Sequence, residues 1–233
     1  MVKKVKETLK DTKKKIIETR DKINLIDFDA HWYRRAFHAF GASFLFYYLL
    51  PDVNWVNSLK FWVPPLLVII ALSIEILRLK GFISSDHFFG LRLYEKKRIG
   101  SYVFFAVAIL LLLRFFPQQI AVPCILCACL ADPVMGEVRN RFNKKSAILI
   151  GFLLCMFFFL FTWYKADPAL MILVGLICDT GAVIGESKKF FWLDDDFMIQ
   201  MIPAISLLIV WYIIPIIGLN TPDPVIYPAL MPW

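Results

Sequence analysis

The sequence predicts an all-α polytopic membrane protein with about seven transmembrane helices and a basic N-terminal amphipathic helix. Three observations carry this. Hydrophobic residues make up 59% of the 233 and charged ones 19%, more apolar surface than a soluble domain of this size needs to bury. The apolar residues come in blocks close to the ~20 that cross a bilayer. The basic residues fall almost wholly on alternate connections between those blocks.

The first thirty residues form the arm. Residues 1–35 hold eleven Lys or Arg and no apolar core of signal-peptide length, which argues against a cleavable leader. Val5, Leu9, Ile16, Ile23 and Ile26 recur near helical spacing among the lysines. That pattern suits either a basic helix lying on the membrane surface or a solvated basic tail.

The blocks follow at 36–51, 61–77, 99–116, 118–136, 147–163, 168–185 and 198–219. The first two are short, and Pro64-Pro65 interrupts the second. FLLCMFFFLFTW and ISLLIVWYIIPIIG have no polar face for water, which excludes an ordinary soluble bundle. Cys124, Cys127, Cys129, Cys155 and Cys178 all lie in the blocks. With no second C-x-x-C pair and no suitably placed histidine, they read as packing residues. Trp192 and Trp233 suit an interfacial aromatic belt. The predicted division is an arm (1–30), a seven-span membrane catalytic domain (31–220) and an external C-terminal tail (221–233).

Seven crossings put 23 of the 26 basic residues on the side of the N-terminus and 3 on the other. The positive-inside rule then places the N-terminus in the cytoplasm and the C-terminus outside. Most acidic residues sort to the same side as the arm. Asp132 and Asp179 lie about a turn inside their blocks, where charge is costly and tends to serve function. Asp132-Pro133 would equally suit a helix start, with proline at the first helical position.

Carboxylates beside Arg and Lys at one membrane face suit a magnesium nucleotide. Mg²⁺ takes oxygen ligands, often one or two carboxylates plus substrate phosphates, and basic groups neutralise charge on a transferring phosphoryl group. A boundary site also lets a lipid hydroxyl arrive from the bilayer and a nucleotide from water. The soluble nucleotide motifs are missing: there is no G-x-x-x-x-G-K-[ST] and no G-x-G-x-x-G. H-E-x-x-H and G-x-S-x-G are absent too.

Four segments carry a family resemblance. RRAFHAFG at 34–41 resembles the Arg-Lys-x-x-His segment of the CTP-dependent lipid kinases, the group of dolichol (polyprenol) kinase, yeast-type diacylglycerol kinase and phytol kinase. IEILR at 74–78 is similar to their Glu-x-x-Arg. LADPVMGEVRNRF resembles their Gly-Asp-x-x-Ala-x-x-x-Gly-Arg-Arg-Phe. IGESKKFFWLDDDFMIQMIPA at 184–204 is similar to their late Glu, Asp-Asp-Asn and apolar-Pro stretch. Ala131, Met135, Arg139 and Asp196 stand where the family has Gly, Ala, Gly and Asn. The late loop is also similar to that of the CTP-dependent CDP-lipid synthases.

The resemblance and the charge pattern together imply a transferase that moves the terminal phosphate of CTP to a lipid alcohol, dolichol or polyprenol first and diacylglycerol next. Asp132, Glu75 and Glu137 are the candidate catalytic carboxylates. Arg35, His38, Arg78, Arg139 and Lys145 are the candidate phosphate ligands. Asp132 with Asp194, Asp195 and Asp196 would hold Mg²⁺. Expected partners are the nucleotide, the lipid alcohol and membrane lipids, with no nucleic acid; a homodimer stays open. The rival readings are a cytidylyltransferase that makes a CDP-lipid and a transporter or scaffold without enzymatic activity.

Overall fold

The computed structural model describes residues 32–33, 35–88, 91, 93–187 and 193–229. The basic arm, Arg34, Lys188, Lys189, Trp192 and Trp233 lie outside the described residues. Among those described there are helices and turns and no strand. Five helices are long and apolar enough to cross a membrane, so this is an all-helical protein with several candidate membrane spans.

The first block forms α1 (residues 35–41), a 3-10 stretch (Ala42–Leu45) and α2 (Phe46–Leu49). These pieces are shorter than the block predicts a span to be. The second block lengthens into α3 (Asn54–Leu79). Pro64 and Pro65 lie inside α3 and deprive the carbonyls of Lys60 and Phe61 of a donor, yet the helix continues. It ends where Gly81, at φ 81°, reverses the chain. Phe82 N–H then bonds Leu77 O and Gly81 N–H bonds Arg78 O, closing the last turn.

α4 (Ser101–Phe115) has 15 residues. That is about 22 Å of helix, short of the ~30 Å hydrocarbon core. The fourth block is one continuous rod made of α5 (Gln118–Leu126), a π-helical turn (Cys127–Ala131) and α6 (Asp132–Arg141). Asp132 is therefore not a helix start: Ala131 before it is helical and no side chain caps there. Pro133 has no N–H for the Cys129 carbonyl, and the Asp132 N–H reaches back five residues to Cys127 O. The result is a π-turn directly before Asp132, an irregularity often found at functional positions.

α7 (Lys144–Thr162) starts on Asn143, whose side chain accepts from Ser146 N–H. α8 (Pro168–Ser187) and α9 (Asp195–Ile216) complete the chain. α8 and α9 touch backbone to backbone. A Cβ on Gly185 would lie 2.7 Å from the Met198 carbonyl and 2.9 Å from Ile199 N. The core gathers residues of α4, α5, the π-turn, α7, α8 and α9, among them Leu112, Ile120, Phe159, Trp163, Val174 and Leu207. All five cysteines are buried and unbridged.

The described part of the C-terminal tail is bound, not loose. Gln118 donates to Ile226 O and accepts from Val225 and Ile226 N–H. Gln119 donates to Pro222 O, and Ala229 N–H bonds Leu49 O. An open cavity of about 350 Å³ lies beside this strap, lined by Lys165, Asp167 and residues 219–223. It is at the opposite end of α7 from the carboxylates described next.

Candidate functional site

The site starts from α1. Gly41 lets α1 settle on the rod, because a Cβ there would meet Phe105 Cζ at 2.6 Å and Cys129 Sγ at 2.9 Å. One turn earlier His38 is buried and stacks on Phe105, with ring centroids 5.2 Å apart. Its Nδ1 lies 3.4 Å from an Asp132 carboxylate oxygen and its Nε2 3.5 Å from one of Asp196. Two residues distant in sequence thus meet through one imidazole. With a carboxylate on each nitrogen the ring serves both only as the imidazolium, which has two donors. Both contacts are longer than the ~2.7–2.9 Å of a tight charge-assisted hydrogen bond, so the carboxylates retain lone pairs for another cation.

Asp194, Asp195 and Asp196 open α9. Asp194 is the N-cap and accepts from Asp196 N–H at 3.1 Å. Acids here also face the positive end of the helix dipole. Burial pushes the Asp194 carboxyl up to about 8, helped by a hydrogen bond with Asp195 and by the charges of Asp196 and Asp195.

Two groups of donors have the spacing of a metal site: His38, Asp132 and Asp196, and Asp194, Asp195 and Asp196. Within each, the ligand atoms lie within 4.8 Å of one another. Asp196 belongs to both. The acidic triplet is all oxygen, as Mg²⁺ prefers; in the first group the His38 nitrogen would ligate Mn²⁺ or Zn²⁺ only from a neutral ring released from one of its carboxylates. The residues expected to hold Mg²⁺, Asp132 and Asp194–Asp196, are thus brought together, with His38 between them.

The remaining expected residues divide. Arg35 pairs with Glu137, and Glu137 also accepts from Arg141, one turn along α6. Arg141 was not singled out from the sequence, although its i, i+4 spacing to Glu137 signals the pair. Arg139 and Lys145 are exposed near the same end of the rod, on α6 and at the start of α7.

Glu75 and Arg78 are taken up by each other and by the protein around them. Arg78 forms a bidentate pair with Glu75, both contacts 2.7 Å. It also donates to Ser85 Oγ and to the carbonyls of Glu95, Lys96 and Arg98. Glu75 accepts further from Gly100 N–H at 2.5 Å and Tyr102 O–H at 2.8 Å. A guanidinium has five N–H donors, and these bonds occupy them. The pair clasps the 85–100 segment to α3 and has no donor left for phosphate.

Sequence reasoning did not single out Gln200 and left Asp179 without a role. Asp179 is 0% exposed, and neither carboxylate oxygen has a partner among the described residues. No family model, curated protein or solved structure matches the chain.

Proposed function

We propose that the chain is a membrane-embedded transferase that moves the terminal phosphoryl group of a nucleotide, CTP first, to a lipid alcohol of the polyprenol or diacylglycerol class. One observation carries the reading: Asp132 and Asp196 share His38 at one end of a bundle of apolar helices. A carboxylate pair placed there is reached by a lipid hydroxyl along the helices and by a nucleotide from water. The reading takes seven crossings, with α1–α2 and α4 as the short ones, and puts this end on the cytoplasmic side. Short crossings are tolerated where the bilayer thins or neighbours pack closely.

When bound, Mg²⁺ supplies charge neutralisation on the phosphate oxygens. The chain's own residues position and neutralise the rest. Asp132 and Asp196 bring the negative charge that holds the metal nucleotide, and His38 keeps the two carboxylates at one distance. Arg139, Lys145 and the Arg35–Glu137–Arg141 cluster give the same end its cationic rim. The acceptor oxygen attacks the γ-phosphorus, the O–P bond to the nucleoside diphosphate breaks, and the acceptor proton passes to the Asp132 carboxylate. Positioning and charge stabilisation account for most of such a transfer.

The test uses purified full-length protein in detergent with Mg²⁺, CTP labelled at either the γ-phosphate or the cytidine, and polyprenol or diacylglycerol. γ-Label in the lipid product supports the kinase. Cytidine label with release of pyrophosphate replaces it with a CDP-lipid synthase. No labelled lipid with any acceptor points to a transporter or scaffold.

A further inference from the structure

Deeper in the bundle lies a second polar position that the carboxylate end does not use. The backbone contacts of Gly185 with Met198 and Ile199, and of Gly181 with Pro203, lay α8 against α9. Cys178 Sγ donates to Pro203 O at 3.9 Å across the same seam. Asp179 lies on this stretch of α8 and Gln200 on the facing stretch of α9, both 0% exposed. Gln200 donates to Asp196 O, but its Oε1 has no partner among the described residues, and neither has Asp179 Oδ1 or Oδ2. Pro203 adds a fourth acceptor, for it has no N–H to give the Ile199 carbonyl.

Three side-chain oxygens without a donor among the described residues, beside a carbonyl whose usual helical donor is missing, are costly in an apolar interior unless something positive joins them. One carboxylate is neutralised by one unit of charge. A divalent ion would leave a net positive charge in a low-dielectric core. Backbone carbonyl oxygens freed from a helix also coordinate Na⁺ in membrane proteins, and carboxylate and amide oxygens are hard ligands of the same kind. We propose that Asp179, Gln200 and the Ile199 carbonyl hold a single monovalent alkali cation between α8 and α9. This site is separate from the Asp132–Asp196 end and does not depend on the phosphoryl-transfer reading.

The test is the thermal unfolding of the full chain in detergent with EDTA, in NaCl, KCl or choline chloride at equal ionic strength. Na⁺ or K⁺ is expected to raise Tm saturably over choline, by about 3–6 °C at tenfold excess over Kd. Asp179→Asn removes the response, and Gln200→Leu raises the half-saturating concentration about tenfold. Asp132→Asn keeps the response, which separates this site from the outer carboxylates. Equal Tm in all three salts overturns the proposal. So does a salt-independent Tm that falls as pH rises in Asp194→Asn but not in Asp179→Asn, because a proton on Asp179 then replaces the ion. If Asp179→Asn does not fold, an unchanged half-saturation in Gln200→Leu overturns it as well.

Discussion

Glu75→Ala tests whether the Glu75–Arg78 clasp is structural or part of the site. The substitution strips Arg78 of its bidentate partner and removes the acceptor of Gly100 N–H and Tyr102 O–H. Arg78 is buried, so its charge is left without compensation. Breaking a buried pair in this way costs about 3–5 kcal/mol. For a chain of this size that corresponds to a fall in Tm of roughly 6–20 °C. The five buried free cysteines supply the assay, since a thiol-reactive fluorophore labels them only as the bundle opens. Glu75→Gln keeps the size and part of the hydrogen bonding, and its fall is smaller. Glu75→Leu with Arg78→Leu removes both charges but recovers only part of the loss. The carbonyls of Glu95, Lys96 and Arg98 then lose the guanidinium that gathers them. The reasoning fails if Glu75→Ala unfolds at the wild-type temperature while nucleotide affinity drops, because that pattern belongs to a residue that touches substrate.

Three further outcomes follow from the geometry. Asp132→Asn and Asp196→Asn each lower lipid phosphorylation at least a hundredfold and weaken the Mg²⁺-induced rise in Tm; full turnover in both removes the site. Asp194 has its carboxyl raised to about 8, well above its ordinary value, so the metal-free protein loses stability as pH climbs from about 4 through 8. Mg²⁺ competes with that proton, and its Tm shift is larger at pH 8 than at pH 6 in wild type but not in Asp194→Asn. Gln118→Ala breaks three hydrogen bonds to the C-terminal strap, at about 0.5–1.5 kcal/mol each, and limited proteolysis then trims the tail beyond residue 220 faster than in wild type.

What the sequence makes legible here is what depends on long stretches or on charge. The helical class, the apolar rods and the packing role of the cysteines are of that kind, because hydropathy integrates over many residues. Asp132 and the acids at 194–196 stand out because a charge next to a long apolar run is rare enough to notice. Their meeting through His38 is not legible, since nothing local says that α1 reaches both. That contact depends on a missing side chain at Gly41, which lets α1 close on Phe105 and Cys129. Glu75 and Arg78 show the opposite case. Their i, i+3 spacing announces the pair, but whether a pair turns toward a ligand or toward the protein is decided by the 85–100 segment. Its carbonyls at 95, 96 and 98 converge on the guanidinium, and no pattern in that stretch foretells it. The π-turn before Asp132 belongs to both kinds. Pro133 is plain in the sequence, yet an Asp-Pro pair fits a helix start as readily as a displaced ladder. The surrounding core of Ile125, Cys129, Ala131 and Met135 keeps the rod continuous, and so the carboxylate is presented from the side of a helix instead of from its first turn.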